Sequence, residues 1–176
     1  MGAGASTGAS AELQNAMKTV GIVKDFMDKQ EAMALGNVDA AKMEEFSVGL
    51  GEMFAEKVTC NLCDGVEIAV VGTWGEVMQT MGGYWMGINN TEVKRGAPSV
   101  TINDKGNTVV WPQVYTNTIT NAAGEPVADT EAKVTVMHTI GVDENGKIDT
   151  WTQFLDTKAY ADRKAKVAAA DAAAAA

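Results

Sequence analysis

The only histidine, His138, stands in the run Val134-Thr135-Val136-Met137-His138-Thr139-Ile140-Gly141-Val142. It shares alternate positions with Val134, Val136, Ile140 and Val142, so a strand here turns it to the apolar side. A pocket histidine can serve as a general base, or it can sit as a hydrogen-bonded core residue. Its partner depends on the turn Asp143-Glu144-Asn145-Gly146. A two-residue Asn145-Gly146 loop sets His138 opposite Gln153. A longer loop closing in a glycine bulge sets it opposite Thr152. Either register gives it a polar neighbour.

Tyr115 shares a strand face with Trp111, Gln113, Asn117 and Ile119. A phenol and two amides on one face can orient a carbonyl or a sterol-like ligand. The same residues also suit a solvated, aromatic-rich sheet face or a dimer surface. Asp25 and Asp28 fall on a helix, where carboxylates are usually solvated. Cys60-Asn61-Leu62-Cys63 is a CxxC without the two further ligands that zinc needs, so no metal site is expected. It follows a strand rather than opening a helix, which points to two reduced, partly buried thiols rather than a redox pair. No cofactor is implied.

The elements that must position these groups are legible in outline. Leu13, Met17, Val20, Val23 and Met27 recur at helical spacing between Ser10 and Leu35, with Ser10 placed to cap and Gly36 to end the helix. Asp39 can cap a second helix carrying Met43, Phe46, Leu50, Met53 and Phe54. Lys57 to Leu62 and Val66 to Val71 read as strands. Thr73-Trp74-Gly75-Glu76 is a capping box opening a third helix with Val77, Met81, Tyr84, Trp85 and Ile88, which Asn89-Asn90 ends. The period then changes to two. Pro98 to Asn103, Thr108 to Thr120, Val127 to Val142 and Lys147 to Thr157 read as strands joined by short turns, hence antiparallel neighbours. Pro112 lacks an N–H and demands an edge, a bulge or a bend. Helices gathered on one face of such a sheet make an α+β domain. A strongly twisted sheet would curl around the first helix and leave a cavity at one end.

The chain has 176 residues, 46% hydrophobic and 21% charged, enough for one domain with a real core. Residues 10–160 form that domain, with residues 1–9 a small-residue leader and 161–176 an alanine-rich tail. Fourteen basic against 23 acidic residues leave a formal charge of −9, the wrong sign for gripping nucleic acid or anionic lipid. No apolar run is long enough for a membrane span. Met1-Gly2-Ala3-Gly4-Ala5-Ser6 lacks the features of a secretory signal but matches the N-myristoylation pattern at Gly2. A cytoplasmic protein is expected, with at most weak membrane association, because one acyl chain without a basic patch holds poorly. Ten methionines and four tryptophans suit an adaptable apolar cavity as well as plain core filling. Met43, Met53, Met78, Met81, Met86 and Met137 fall on core-forming elements.

Three segments resemble the SnoaL-like domains of the nuclear transport factor 2-like superfamily. They are Phe26 to Val58, Gly72 to Glu76, and "VMHTIGVDENGKIDTWTQFLDT" from Val136 to Thr157. The resemblance implies a cone-shaped, barrel-like curved antiparallel sheet wrapped around N-terminal helices, with a pocket inside, often in a homodimer built through the sheet. Members include isomerases, cyclases and non-catalytic modules, so one activity does not follow. Asp156 matches the closing Asp of the pattern, where some members place a proton-transfer acid. His138, Tyr115 and Asp156 are the candidate catalytic residues. Trp85, Trp111, Gln113, Gln153 and Met81 are the candidate contacts to a small apolar ligand. The tyrosine and two acids of isomerase-type members have no clear counterpart here.

Overall fold

The computed structural model describes residues 5–63, 68–103 and 106–174. The acylation pattern at Gly2 lies outside them. Four helices and seven strands are described: α1 (Ala5–Ala34), α2 (Met43–Gly51), β1 (Phe54–Cys63), β2 (Ile68–Gly72), α3 (Trp74–Trp85), β3 (Ile88–Arg95), β4 (Ser99–Asn103), β5 (Gly106–Thr120), β6 (Pro126–Val142), β7 (Ile148–Phe154) and α4 (Thr157–Ala174). None of the described helices is long and apolar enough to cross a membrane.

Helix α1 runs through Ser10 and starts at Ala5, earlier than the cap signal suggests. Its buried stripe is Ala16, Thr19, Val23, Phe26 and Met27, while Leu13 and Met17 are exposed. The first half of the expected apolar face is thus turned away from the sheet. The helix ends as its glycine indicates. Gly36 adopts φ +67°, Asn37 N donates to Ala32 O and Gly36 N to Met33 O, the paired bonds of a Schellman cap. Asp39 caps the short 3-10 turn before α2 by accepting from Ala41 N. The capping box on α3 forms as read: Glu76 N donates to Thr73 Oγ1 and Thr73 N to Glu76 Oε2.

The strands form one sheet in the order β2-β1-β7-β6-β5-β3, with β4 also paired to β5. All pairings are antiparallel except β1 with β7. The expected antiparallel sheet is therefore mixed at one place, where the first strand comes to lie beside the last. A parallel pair needs a long crossover, and everything from β2 to β6 supplies it here. Strand β3 is an element the sequence reading missed: Asn89-Asn90 begins a strand rather than ending a helix. Phe54 opens β1 instead of closing α2.

Register breaks in β1, β3, β5–β6 and β6–β7 bend the strands and increase twist, which curls the sheet around α1. Pro112 sits where the neighbour of β5 changes from β3 to β4. Its carbonyl accepts from Gly96 N in the gap, so no ladder bond is lost to the missing N–H.

The core lies between the concave sheet face and the helices. Phe26, Phe54, Trp74 and Trp151 interlock there, Phe26 edge-on to Phe54 at 5.4 Å and to Trp151 at 5.0 Å, with Phe54 stacked on Trp74 at 4.2 Å. Several methionines expected inside are outside: Met86 is 74% exposed, and Met43 and Met137 are also at the surface. The alanine-rich helix is anchored rather than free. Tyr160 and Val167 are buried, Arg163 donates to Asn117 O and to Asn117 Oδ1, and Asp171 accepts from Ala122 N.

Candidate functional site

His138, Trp111 and Gln153 form one row across three strands. His138 pairs with Trp111 on β5 and with Gln153 on β7. The turn is nevertheless the longer one, with Gly146 at φ +80° and Asp143 N donating to Lys147 O. Val142 faces Ile148, a register that would carry His138 to Thr152. A second irregularity between Gly141 and Val142 adds one residue on β7 and moves His138 to Gln153. Gly141 makes that possible: a Cβ there would meet Asp149 Oδ1 at 2.7 Å.

His138 is wholly buried. Trp151 Nε1 donates to His138 Nδ1 at 3.1 Å. An indole N–H is only a donor, so Nδ1 is the acceptor and the ring proton sits on Nε2. That proton points to Tyr115 Oη at 3.4 Å. The Tyr115 hydroxyl donates to Gln30 Oε1 at 3.1 Å and also touches the Gln113 amide. A phenol has one proton, and the Gln113 amide nitrogen lacks any other partner, so turning that nitrogen to Oη satisfies both. The result is a directional chain from Trp151 through His138 to Tyr115 and Gln30.

Burial keeps this chain neutral. It pushes the His138 pKa down to about 3, with the Arg95 charge adding to the effect. Burial also raises the Tyr115 phenol well above its ordinary value. Arg95 itself is held on α1, bonding Asp28 Oδ1 at 2.5 Å and Glu31 Oε2 at 2.6 Å, which fixes the turn of helix that carries Gln30.

A cavity of about 530 Å³ opens between α3, the second half of α1 and the concave sheet face. Tyr115, Gln153 and Trp151 form its sheet side, Met78 and Trp85 its α3 side, and Met33 and Gln30 its α1 side. Among the described residues that line it there is no Asp, Glu, Lys, Arg or His. Two polar atoms on this wall are buried without partners: Gln153 Nε2 and Tyr84 Oη.

The sequence-derived candidates divide accordingly. Tyr115, Gln153 and Trp85 line the cavity. His138 and Gln113 stand behind the wall and orient Tyr115. Trp111 is buried on the same face but does not line the cavity, and it donates from Nε1 to Gly96 O at 2.9 Å. Met81 is buried core, not lining. Asp156 is exposed and accepts from Ala159 N, capping α4, so it does not join His138. The alternative of a solvated face for Tyr115 is overturned, since Trp111, Gln113, Tyr115, Asn117 and Ile119 are all buried. Trp151 and Gln30 were missed. Trp151 was readable, because it shares the parity of Gln153. Gln30 continues the buried stripe of α1 from Phe26 and Met27. Cys60 is buried and its thiol is pushed up to about 12, far from a reactive thiolate.

No protein-family model matches the sequence, and no curated protein matches it. Solved structures do match the fold. A provisionally named SnoaL-like polyketide cyclase from Jannaschia sp. CCS1 superposes with a TM-score of 0.54 at 13% identity, covering 85% of this chain and 92% of that one. A nuclear transport factor 2-like protein from Burkholderia xenovorans LB400 gives 0.51 at 17% identity, covering 84% and 96%. A phenazine biosynthesis-related protein from Pseudomonas aeruginosa gives 0.50 at 15% identity, covering 90% and 89%. At these identities the likeness establishes the fold: a SnoaL-like, nuclear transport factor 2-like α+β cone.

Proposed function

We propose that this chain, a nuclear transport factor 2-like cone, binds a small, uncharged, mostly apolar ligand in its cavity. The observation that carries this reading is the wall itself: its described residues are aromatic, methionine and other apolar side chains with neutral phenols and amides between them. Such a wall favours an apolar body and gives a charged group no counterion. The polar handles are the Gln153 amide and the Tyr115 hydroxyl, whose proton a ligand acceptor receives by displacing Gln30 Oε1, itself part of the cavity wall. His138 acts through Tyr115 as a positioning residue, fixing where the hydroxyl proton is presented.

An isomerase- or cyclase-type activity is the second reading, favoured by the Tyr115 hydroxyl at the wall and its ordered backing. Once a substrate carbonyl displaces Gln30 Oε1, the Tyr115 proton can polarise that carbonyl oxygen. Proton abstraction at neutral pH lacks a base among the described lining residues, and Asp156 is engaged elsewhere. Binding is therefore the stronger reading.

The third element of the proposal is a homodimer through the outer sheet face. Met137 and Phe154 are exposed cross-strand neighbours there, a form of surface that a second sheet can cover.

The direct test is a titration with the neutral dye phenylnaphthylamine. Saturable dye emission, with loss of emission from Trp85 and Trp151, is expected. A dye that stays dark at high protein concentration overturns the reading.

A further inference from the structure

We infer that the adjacent glycines Gly82 and Gly83 of α3 set the width of ligand that the cone admits. This rests on the ligand-binding reading above and adds the residues that determine its size selectivity. Glycine inside a helix is disfavoured against alanine, because it loses more backbone freedom on folding. Two in succession within a twelve-residue helix therefore call for a physical cause.

The usual causes are absent at both positions. Gly36, Gly87, Gly106, Gly124 and Gly146 have positive φ, and Gly82 and Gly83 do not. Gly72, Gly96 and Gly141 are pressed by neighbours within 2.7 Å of a hypothetical Cβ. At Gly82 and Gly83 such a Cβ meets nothing within 4 Å. Gly21 and Gly49 have equally open surroundings, but neither lines the cavity. Gly82 and Gly83 both do. What they supply is open space at the ligand wall, with Gly82 half-buried and Gly83 at the exposed mouth of the cavity. Successive helix residues point about 100° apart, so the pair widens the cavity along an arc rather than at one point.

A second observation places a ligand against this bare wall. Gln153, only 4% exposed, lines the same cavity and has an amide nitrogen with no partner. A buried donor left open in this way is satisfied by an acceptor on what fills the space. The ligand class is an uncharged molecule with one hydrogen-bond acceptor at Gln153 and an apolar body too wide for a side chain at position 82 or 83.

The experiment uses two neutral probes of different width, phenylnaphthylamine and naphthalene, on the full chain. The variants are Gly82→Val, Gly83→Val and the double variant Gly82→Ala/Gly83→Ala. The valine variants are expected to lose about tenfold or more in phenylnaphthylamine affinity and to hold naphthalene within about threefold. The double alanine variant is expected to melt a few degrees higher and still bind phenylnaphthylamine more weakly, which separates lost space from lost folding. Unchanged phenylnaphthylamine affinity in all variants overturns the inference, as does an equal loss for both probes. A wild-type chain that binds neither probe overturns the ligand-binding reading itself, a result distinct from either.

Discussion

Trp151 Nε1 donates to His138 Nδ1 at 3.1 Å, and the two rings lie nearly parallel at 12°. One contact thereby sets the tautomer of the only histidine and buries it in its neutral form. The consequence is a pH-dependent stability with a definite sign. The folded-state pKa is depressed from 6.5 to about 3, so the unfolded chain binds a proton that the folded chain refuses. The contribution is complete above pH 6.5 and is lost as pH falls toward 3. Between pH 7 and pH 5 it amounts to about 2 kcal/mol. Urea unfolding of the wild type and of His138→Gln over that interval is the check, and the variant should lose the extra slope.

His138→Ala removes a wholly buried ring and strands the Trp151 N–H. Cavity formation and the orphaned donor together suggest a loss of about 2–4 kcal/mol. The domain is expected to remain folded with weakened ligand affinity. Thermal melting alongside the dye titration measures both. Complete unfolding with no ligand effect in the residual folded fraction would reduce His138 to a core residue.

Tyr115→Phe tests the polar handle with a matched pair of ligands. Benzophenone carries a carbonyl where diphenylmethane carries a methylene. The wild type should prefer the ketone, and the variant should lose about tenfold for the ketone and little for the hydrocarbon. Equal losses for both would place the hydroxyl's role in the fold and not in the ligand.

Gly141→Ala is expected to destabilise by about 1–3 kcal/mol, because overpacked sites force neighbours to shift. Its Cβ would press on Asp149 Oδ1 at 2.7 Å and on Thr150 Cβ at 3.1 Å. The bulge that sets His138 opposite Gln153 is then strained. Denaturant midpoints read the cost, and cross-strand amide contacts by NMR read the register.

The outer-face pair Met137 and Phe154 provides the assembly test. Sedimentation at micromolar concentration should show a dimer for the wild type and a monomer for Phe154→Glu. A monomeric wild type removes the homodimer from the proposal.

Much of this protein was legible because local chemistry decided it. The capping box at Thr73 and Glu76, the glycine stop at Gly36 and the Asp143 to Gly146 turn each involve residues within a few positions of one another. The period-two runs announced the long strands, and the apolar parity of His138 placed it on the inner face before any coordinates, while the face of Tyr115 and the choice between Gln153 and Thr152 stayed open. The rest depended on partners far along the chain. Nothing local makes β1 parallel to β7, since that pairing joins residues about ninety positions apart. Nothing local turns Leu13 and Met17 away from the sheet, because a helix's apolar pattern does not say where the sheet stops. The register of His138 was open between two partners until a bulge beside Gly141 chose Gln153. Trp111 and Met81 had the right side-chain chemistry for a pocket wall, yet tertiary packing put them behind it. Asp156 was drawn to the N-terminus of α4, where a backbone N–H needed its carboxylate. By itself the sequence determined the caps, the turns, the strand periods and the inward side of His138. Only the folded sheet, by its curvature, decided which inward side chains reach the cavity and which support it from behind.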